Sequence, residues 1–76
     1  MQRWMYLRLS VNYRGENEVY SATSNGTPVF DKEDNKRTAQ DLQEYVEQLG
    51  LQGWELVNVY QDNELCEVYH FKRLIE

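Results

Sequence analysis

The chain has 76 residues, of which 41% are apolar and 13% aromatic, and its formal net charge is −5. This composition is too apolar for a disordered chain, and the length fits a single domain spanning residues 1–76. The acidic balance disfavours non-specific binding to nucleic acid or anionic membranes, and no apolar run predicts a membrane helix or a signal peptide.

The first part of the chain is predicted to form strands. Apolar and polar residues alternate over residues 3–13, which is the period-two pattern of a long strand. A second strand is expected over residues 18–23. Asn25 and Gly26 then predict a tight hairpin turn, because both residues tolerate positive φ. The turn leads into a short edge strand over residues 27–30 that contains a proline.

The clearest pattern is a helix that begins after a polar loop at residues 31–37. Thr38 can cap this helix, with Asp41 three residues later in an approximate capping box. One apolar stripe follows at helical spacing: Leu42, Tyr45, Val46 and Leu49. Gly50 is the expected end of the helix, because glycine readily adopts the left-handed conformation.

Two further strands are predicted over residues 54–61 and from Leu65 to Arg73, joined by a turn at residues 62–64. Strands joined by so short a turn form an antiparallel hairpin. The order of elements is then β-β-(β)-α-β-β. We therefore predict an α+β fold in which a mainly antiparallel sheet of three to four strands carries one helix on one face.

Three segments of the sequence match a known pattern: W-M-Y at residues 4–6, L-G-L-Q-G-W-E-L-V-N-V at 49–59 and Y-H-F-K-R at 69–73. They resemble the bacterial domain-of-unknown-function family 4177, which has W-x-Y, then L-G-x-x-G-W-E-L-V-x-V after a helix, then Y-x-F-K-R. The connection over residues 12–37 is longer than is usual in that family. The resemblance implies a compact sheet-plus-helix fold and brings no activity, cofactor or catalytic residue.

Both faces of the predicted sheet carry apolar residues, although one helix can cover only one face. The aliphatic set suits packing under the helix and comprises Met5, Leu7, Leu9, Val11, Val57, Val59, Cys66 and Val68. The aromatic set has the composition of an interface, and its candidate interface residues are Trp4, Tyr6, Arg8, Trp54, Leu56, Tyr69, Phe71 and Arg73. The reverse assignment, with Trp54, Leu56 and Phe71 under the helix, stays open because the sequence does not fix strand register.

These patterns predict a non-enzymatic protein-interaction module that self-associates, with a dimer favoured, through the aromatic face or an exposed strand edge. A different protein partner is an alternative, as is coverage of the second face by residues 12–37. Another hypothesis is single-stranded nucleic-acid binding, since Arg8 and Arg73 lie near aromatic residues in the sequence. The negative net charge of the chain disfavours nucleic-acid binding.

Few residues suggest catalysis or metal binding. His70 and Cys66 lie four positions apart on one predicted strand, about 13 Å by strand geometry, which is too far for a catalytic pair. The acidic residues of the 31–37 loop lack the pattern of a calcium loop. We expect no cofactor and no metal. A small-molecule enzyme or binding protein is the third hypothesis, and a deep pocket lined by His70 and by acidic residues from different elements would favour it. The lone cysteine is typical of a reducing compartment, which favours the cytoplasm.

Overall fold

The computed structural model describes residues 2–15, 18–30 and 37–75. In chain order the elements are β1 (Trp4–Tyr13), β2 (Glu18–Ser24), β3 (Thr27–Phe30), β4 (Arg37–Thr38), α1 (Ala39–Leu51), β5 (Glu55–Asn63) and β6 (Cys66–Leu74). The strands form one antiparallel sheet in the order β3-β2-β1-β6-β5, and β4 pairs with β2. The α+β class is confirmed, with five main strands instead of three to four. The acidic residues of the predicted loop, Asp31, Glu33 and Asp34, lie outside the described residues.

The centre of the sheet is the pairing of β1 with β6, two strands from opposite parts of the sequence. It extends over nine residue pairs, from Trp4 opposite Leu74 to Asn12 opposite Cys66. Residues directly opposite each other in an antiparallel pair point to the same face of the sheet. The register therefore determines which side chains of β6 lie under the helix together with those of β1.

The helix begins as its sequence predicts. The Thr38 hydroxyl accepts a hydrogen bond from the Asp41 amide at 3.3 Å, and the Asp41 carboxylate accepts one from the Thr38 amide at 2.8 Å. These two bonds form a capping box, and a cap of this kind stabilises a helix by about 1 kcal/mol. Leu42 and Leu49 are buried. In the part of the chain that the structure describes, no helix is long and apolar enough to cross a membrane.

The helix ends later than its sequence predicts. It continues through Gly50 to Leu51, so the prediction that Gly50 ends it is wrong. The Gln52 amide donates to the carbonyls of Gln48 and Leu49 at 3.1 Å, which completes the last turn. The left-handed residue is Gly53, with φ of 94°, and there the chain reverses direction into β5.

The hydrophobic core lies between α1 and one face of the sheet. Its buried members are Leu7, Leu9, Val11, Val19, Ala22, Leu42, Leu49 and Phe71. Leu7, Leu9 and Val11 of β1 are therefore placed as predicted, whereas Met5 is 42% exposed and lies outside the core. Strand β5 contributes no buried residue, and all nine of its residues are exposed. The helix thus covers the middle of the sheet and leaves β5 outside the core.

The register corrects the predicted division of the sheet faces. Phe71 lies opposite Leu7, and Tyr69 opposite Leu9, so both aromatic residues lie on the helix face. Cys66 and Val68 instead lie on the opposite face, because their partners are Asn12 and Ser10. We call this the open face because the helix does not cover it, although Cys66 and Val68 are themselves buried there. The prediction that the aromatic residues share one face is wrong: Trp4, Tyr6 and Arg8 lie on the open face, whereas Leu56, Tyr69, Phe71 and Arg73 lie on the helix face.

Candidate functional site

The open face contains a concave site with a volume of about 550 Å³. We call it the open-face cup, and the side chains that give it its chemistry are Tyr6, Arg8, Asn25, Asn58, His70 and Lys72. It extends from the β2–β3 turn, across the central strands β1 and β6, to the edge strand β5. Two of its lining residues, Arg8 and Lys72, are cationic, on a chain with a net charge of −5.

One end of the cup is formed by the β2–β3 turn. Asn25 has φ of 51° and Gly26 has φ of 86°, so the predicted hairpin turn is present. The Asn25 side-chain oxygen accepts a hydrogen bond from the Arg8 backbone amide at 2.8 Å, and the Asn25 backbone amide donates to the Arg8 carbonyl at 2.9 Å. Because β2 pairs with β1 only from Leu9 onwards, Asn25 occupies the position that a strand partner of Arg8 would take.

The middle of the cup is formed by two cross-strand pairs. Tyr6 lies opposite Lys72, and Arg8 lies opposite His70, in the register of β1 with β6. Directly opposed side chains are about 5 Å apart at Cβ, so these four side chains form one continuous cluster. The Tyr6 side chain is 70% exposed, which leaves its ring available to a ligand.

Two aromatic contacts border this cluster. The Lys72 ammonium nitrogen lies 4.3 Å from the centre of the Trp4 ring, which is a cation–π contact. The Tyr60 and His70 rings are stacked with centroids 5.6 Å apart and an interplanar angle of 24°. Both contacts restrain long side chains on the open face, so Lys72 and His70 are partly preorganised.

The basic side chains of the cup have no acidic partner in the described part of the chain. Neither Arg8 nor Lys72 forms an ion pair there. Glu55 lies opposite Lys72 in the pairing of β5 with β6, but the two do not form an ion pair. Within the described residues, Arg8 and Lys72 therefore carry positive charge that no ion pair neutralises, and Glu55 is the acidic cross-strand neighbour of Lys72.

A second polar cluster lies on the helix face, at the end of the sheet near the start of α1. The hydroxyls of Tyr13 and Tyr69 both donate to one oxygen of Glu67, the latter at 3.3 Å. Burial is the main cause that raises the pKa of each tyrosine above its usual value of 10, and the Glu67 charge adds to this. The cluster gives a half-buried carboxylate two neutral donors, which explains how Glu67 is accommodated on this face.

Arg73 and Trp54, two of the predicted interface residues, form an internal contact on the helix face. The Arg73 guanidinium lies 4.8 Å from the centre of the Trp54 ring and donates to the Gln52 carbonyl at 3.2 Å. A Cβ atom added to Gly53 would lie 3.3 Å from the Arg73 Cδ atom. Arg73 therefore holds the connection between α1 and β5, and the glycine permits its close approach.

The predicted interface residues are thus distributed over several environments. Trp4, Tyr6 and Arg8 meet on the open face. Phe71 is buried under the helix with an exposed fraction of 2%. Leu56 is exposed on β5, while Tyr69, Trp54 and Arg73 make the internal contacts described above. The cup also contains His70, Lys72 and Asn58. The alternation of the sequence could not place these residues beside Tyr6 and Arg8 without knowledge of the strand register.

His70 and Cys66 make separate contacts in the structure. His70 stacks on Tyr60, and the Cys66 sulfur lies 3.9 Å from the Ser10 hydroxyl oxygen. Among residues 2–15, 18–30 and 37–75, no group of three or more histidine, cysteine, aspartate or glutamate side chains is arranged to hold a metal ion.

Strand β5 forms a second exposed feature, at the edge of the sheet. Four large apolar residues along it are between 40% and 57% exposed: Leu56, Val57, Val59 and Tyr60. Only one side of β5 is paired, with β6, so the backbone groups along its outer edge have no strand partner among the described residues.

A scan against protein-family models, a search of curated proteins and a search of solved structures each found no match to this chain. Membership of domain-of-unknown-function family 4177 therefore stays a prediction that depends on the sequence motifs alone.

Proposed function

We propose that the protein is a non-enzymatic interaction module that forms a homodimer by pairing β5 of one copy antiparallel with β5 of a second copy. The observation that carries this proposal is that every residue of β5, a nine-residue edge strand with four large apolar side chains, is exposed. Exposed edges of this length are templates for pairing with another strand, and pairing would remove apolar surface from water.

The two outermost strands of the sheet differ in how they resist pairing. Strand β3 has only four residues and contains Pro28, which cannot donate a backbone hydrogen bond. Strand β5 contains no proline, lysine or arginine, the residues that commonly protect an edge. The β5 edge is therefore the more suitable of the two for a partner strand.

Irregularities in β5 limit the pairing to its central part. The pairing with β6 shifts register between Leu56 and Asn58 and again between Gln61 and Asn63. Such bulges interrupt an edge, so the regular stretch covers residues 58–61. All four of these residues are uncharged, and no like charges would meet when the stretch pairs with itself about a two-fold axis.

A light-scattering measurement of mass over a range of protein concentrations, with reductant present, tests this proposal. We expect a dimer that becomes monomeric in Val59→Lys, because a lysine on the paired stretch opposes strand pairing. The matched control is Leu74→Lys, which makes the same charge change at a residue of similar exposure outside β5. Circular dichroism verifies that both variants are folded.

Salt provides a second readout. Two copies of an acidic chain repel each other, so added salt should favour the dimer by screening this repulsion. A wild-type protein that stays monomeric at high concentration and high salt would refute the proposal. A dimer that survives Val59→Lys but dissociates in Leu74→Lys would place the interface away from β5.

A further inference from the structure

The open-face cup combines two features that a homodimer through β5 does not use. One is the positive charge of Arg8 and Lys72, neither of which forms an ion pair with a described residue. The other is the exposed ring of Tyr6, which lies opposite Lys72 and two residues before Arg8 on the same face of β1. Because the rest of the protein is acidic, local charge of this sign favours an anionic ligand at the cup and at few other places.

Exposed aromatic rings beside basic side chains on a sheet are suited to unpaired bases. A base can stack on the ring while neighbouring phosphates contact the cations. In a duplex the bases are stacked inside the helix and cannot reach a side chain such as Tyr6 on an open sheet. Asn58 on the β5 side of the cup adds an amide that can donate to and accept from a base edge.

We propose that the open-face cup binds single-stranded nucleic acid, with Tyr6 stacking on a base and Arg8 and Lys72 contacting phosphates. Lys72 is held in place by its contact with the Trp4 ring. The Arg8 backbone is fixed by its two hydrogen bonds to Asn25. The site lies on the face of β1 and β6 and does not require pairing through β5, so a monomer would also carry it.

Fluorescence anisotropy with a labelled single-stranded oligothymidylate tests the proposal. Two phosphate contacts predict a slope of about −1.4 in a plot of log affinity against log salt, so binding should weaken about 25-fold when salt rises tenfold. Arg8→Ala should reduce the magnitude of this slope by about 0.7. Tyr6→Ala should weaken binding about five- to a hundredfold, and Tyr6→Phe should retain most of it, because the phenyl ring still stacks.

The matched control is Arg14→Ala, which removes the same charge from the end of β1, outside the cup. It should leave both the affinity and the salt slope unchanged. Three outcomes would overturn the proposal: no binding at low salt, equal weakening by Arg8→Ala and Arg14→Ala, or equal binding of a duplex of the same length. A free nucleotide that binds as tightly as the oligonucleotide would also overturn it and would indicate a small-molecule site instead.

Discussion

Replacement of Phe71 by alanine tests the division of the sheet into a helix face and an open face. Phe71 is 2% exposed and lies opposite Leu7 in the core, with the Tyr69 ring 6.4 Å away. Truncation of a buried phenylalanine to alanine costs about 3–5 kcal/mol. A domain of this length has about 4–11 kcal/mol of stability in total, so Phe71→Ala should remove about a quarter or more of it.

The assay is urea denaturation followed by circular dichroism. With a denaturant dependence of about 1 kcal/mol per molar urea for so small a domain, Phe71→Ala should lower the midpoint by about 3 M or unfold the protein outright. The matched control is Tyr6→Ala, which truncates an aromatic residue of the neighbouring strand on the open face. Since Tyr6 is 70% exposed, its change in stability should stay within about 0.5 kcal/mol.

Equal losses of stability in the two variants would refute the reasoning, because they would mean that both aromatic residues are similarly buried. A larger loss in Tyr6→Ala would reverse the assignment of the two faces. Either result would also remove the basis for the open-face cup, which depends on Tyr6 being accessible. The comparison therefore precedes any binding experiment.

Two further predictions concern stability. Tyr13 and Tyr69, which contact Glu67, have raised pKa values in the folded state, so stability should fall as pH rises above about 10, by less than about 1.4 kcal/mol per pH unit for each half-buried phenol. Tyr13→Phe should make this fall less steep. A wild-type protein whose urea midpoint is constant from about pH 9 to about pH 11 would contradict the prediction. Gly53→Ala should lower the free energy of unfolding, measured by urea denaturation, by about 1–3 kcal/mol, because φ is 94° and the new Cβ would lie 3.3 Å from Arg73 Cδ. The control Gly50→Ala, inside the helix, should be neutral or stabilising.

Local patterns in the sequence were sufficient for most of the secondary structure. The alternation in β1, the Asn25–Gly26 turn and the Thr38 cap each depend on neighbouring residues only, and each is present in the structure. The end of the helix was predicted less well. Both Gly50 and Gly53 could end a helix, and the left-handed residue is Gly53, which lies against Arg73, a residue distant in sequence.

The candidate site was harder to predict because it depends on register. Alternation identified Tyr6 and Arg8 as neighbours on one face, but it could not show whether Phe71 or Lys72 of β6 accompanies them. A shift of one residue in the pairing would exchange the two. The bulge at residues 56–58 of β5 adds a second uncertainty of the same kind, because it changes the alternation within a single strand.

The adjacency of β1 and β6 has a consequence for how the protein folds during synthesis. Trp4 pairs with Leu74, which is 70 residues later in the sequence, so the β1–β6 pairing can form only after β6 has been synthesised. Contacts of such high sequence separation slow folding, and the hairpin of β2 and β3 can form much earlier. Until β6 leaves the ribosome, the apolar side chains of β1 have no central partner strand. The nascent chain is therefore exposed to aggregation or to chaperones until β6 has been made.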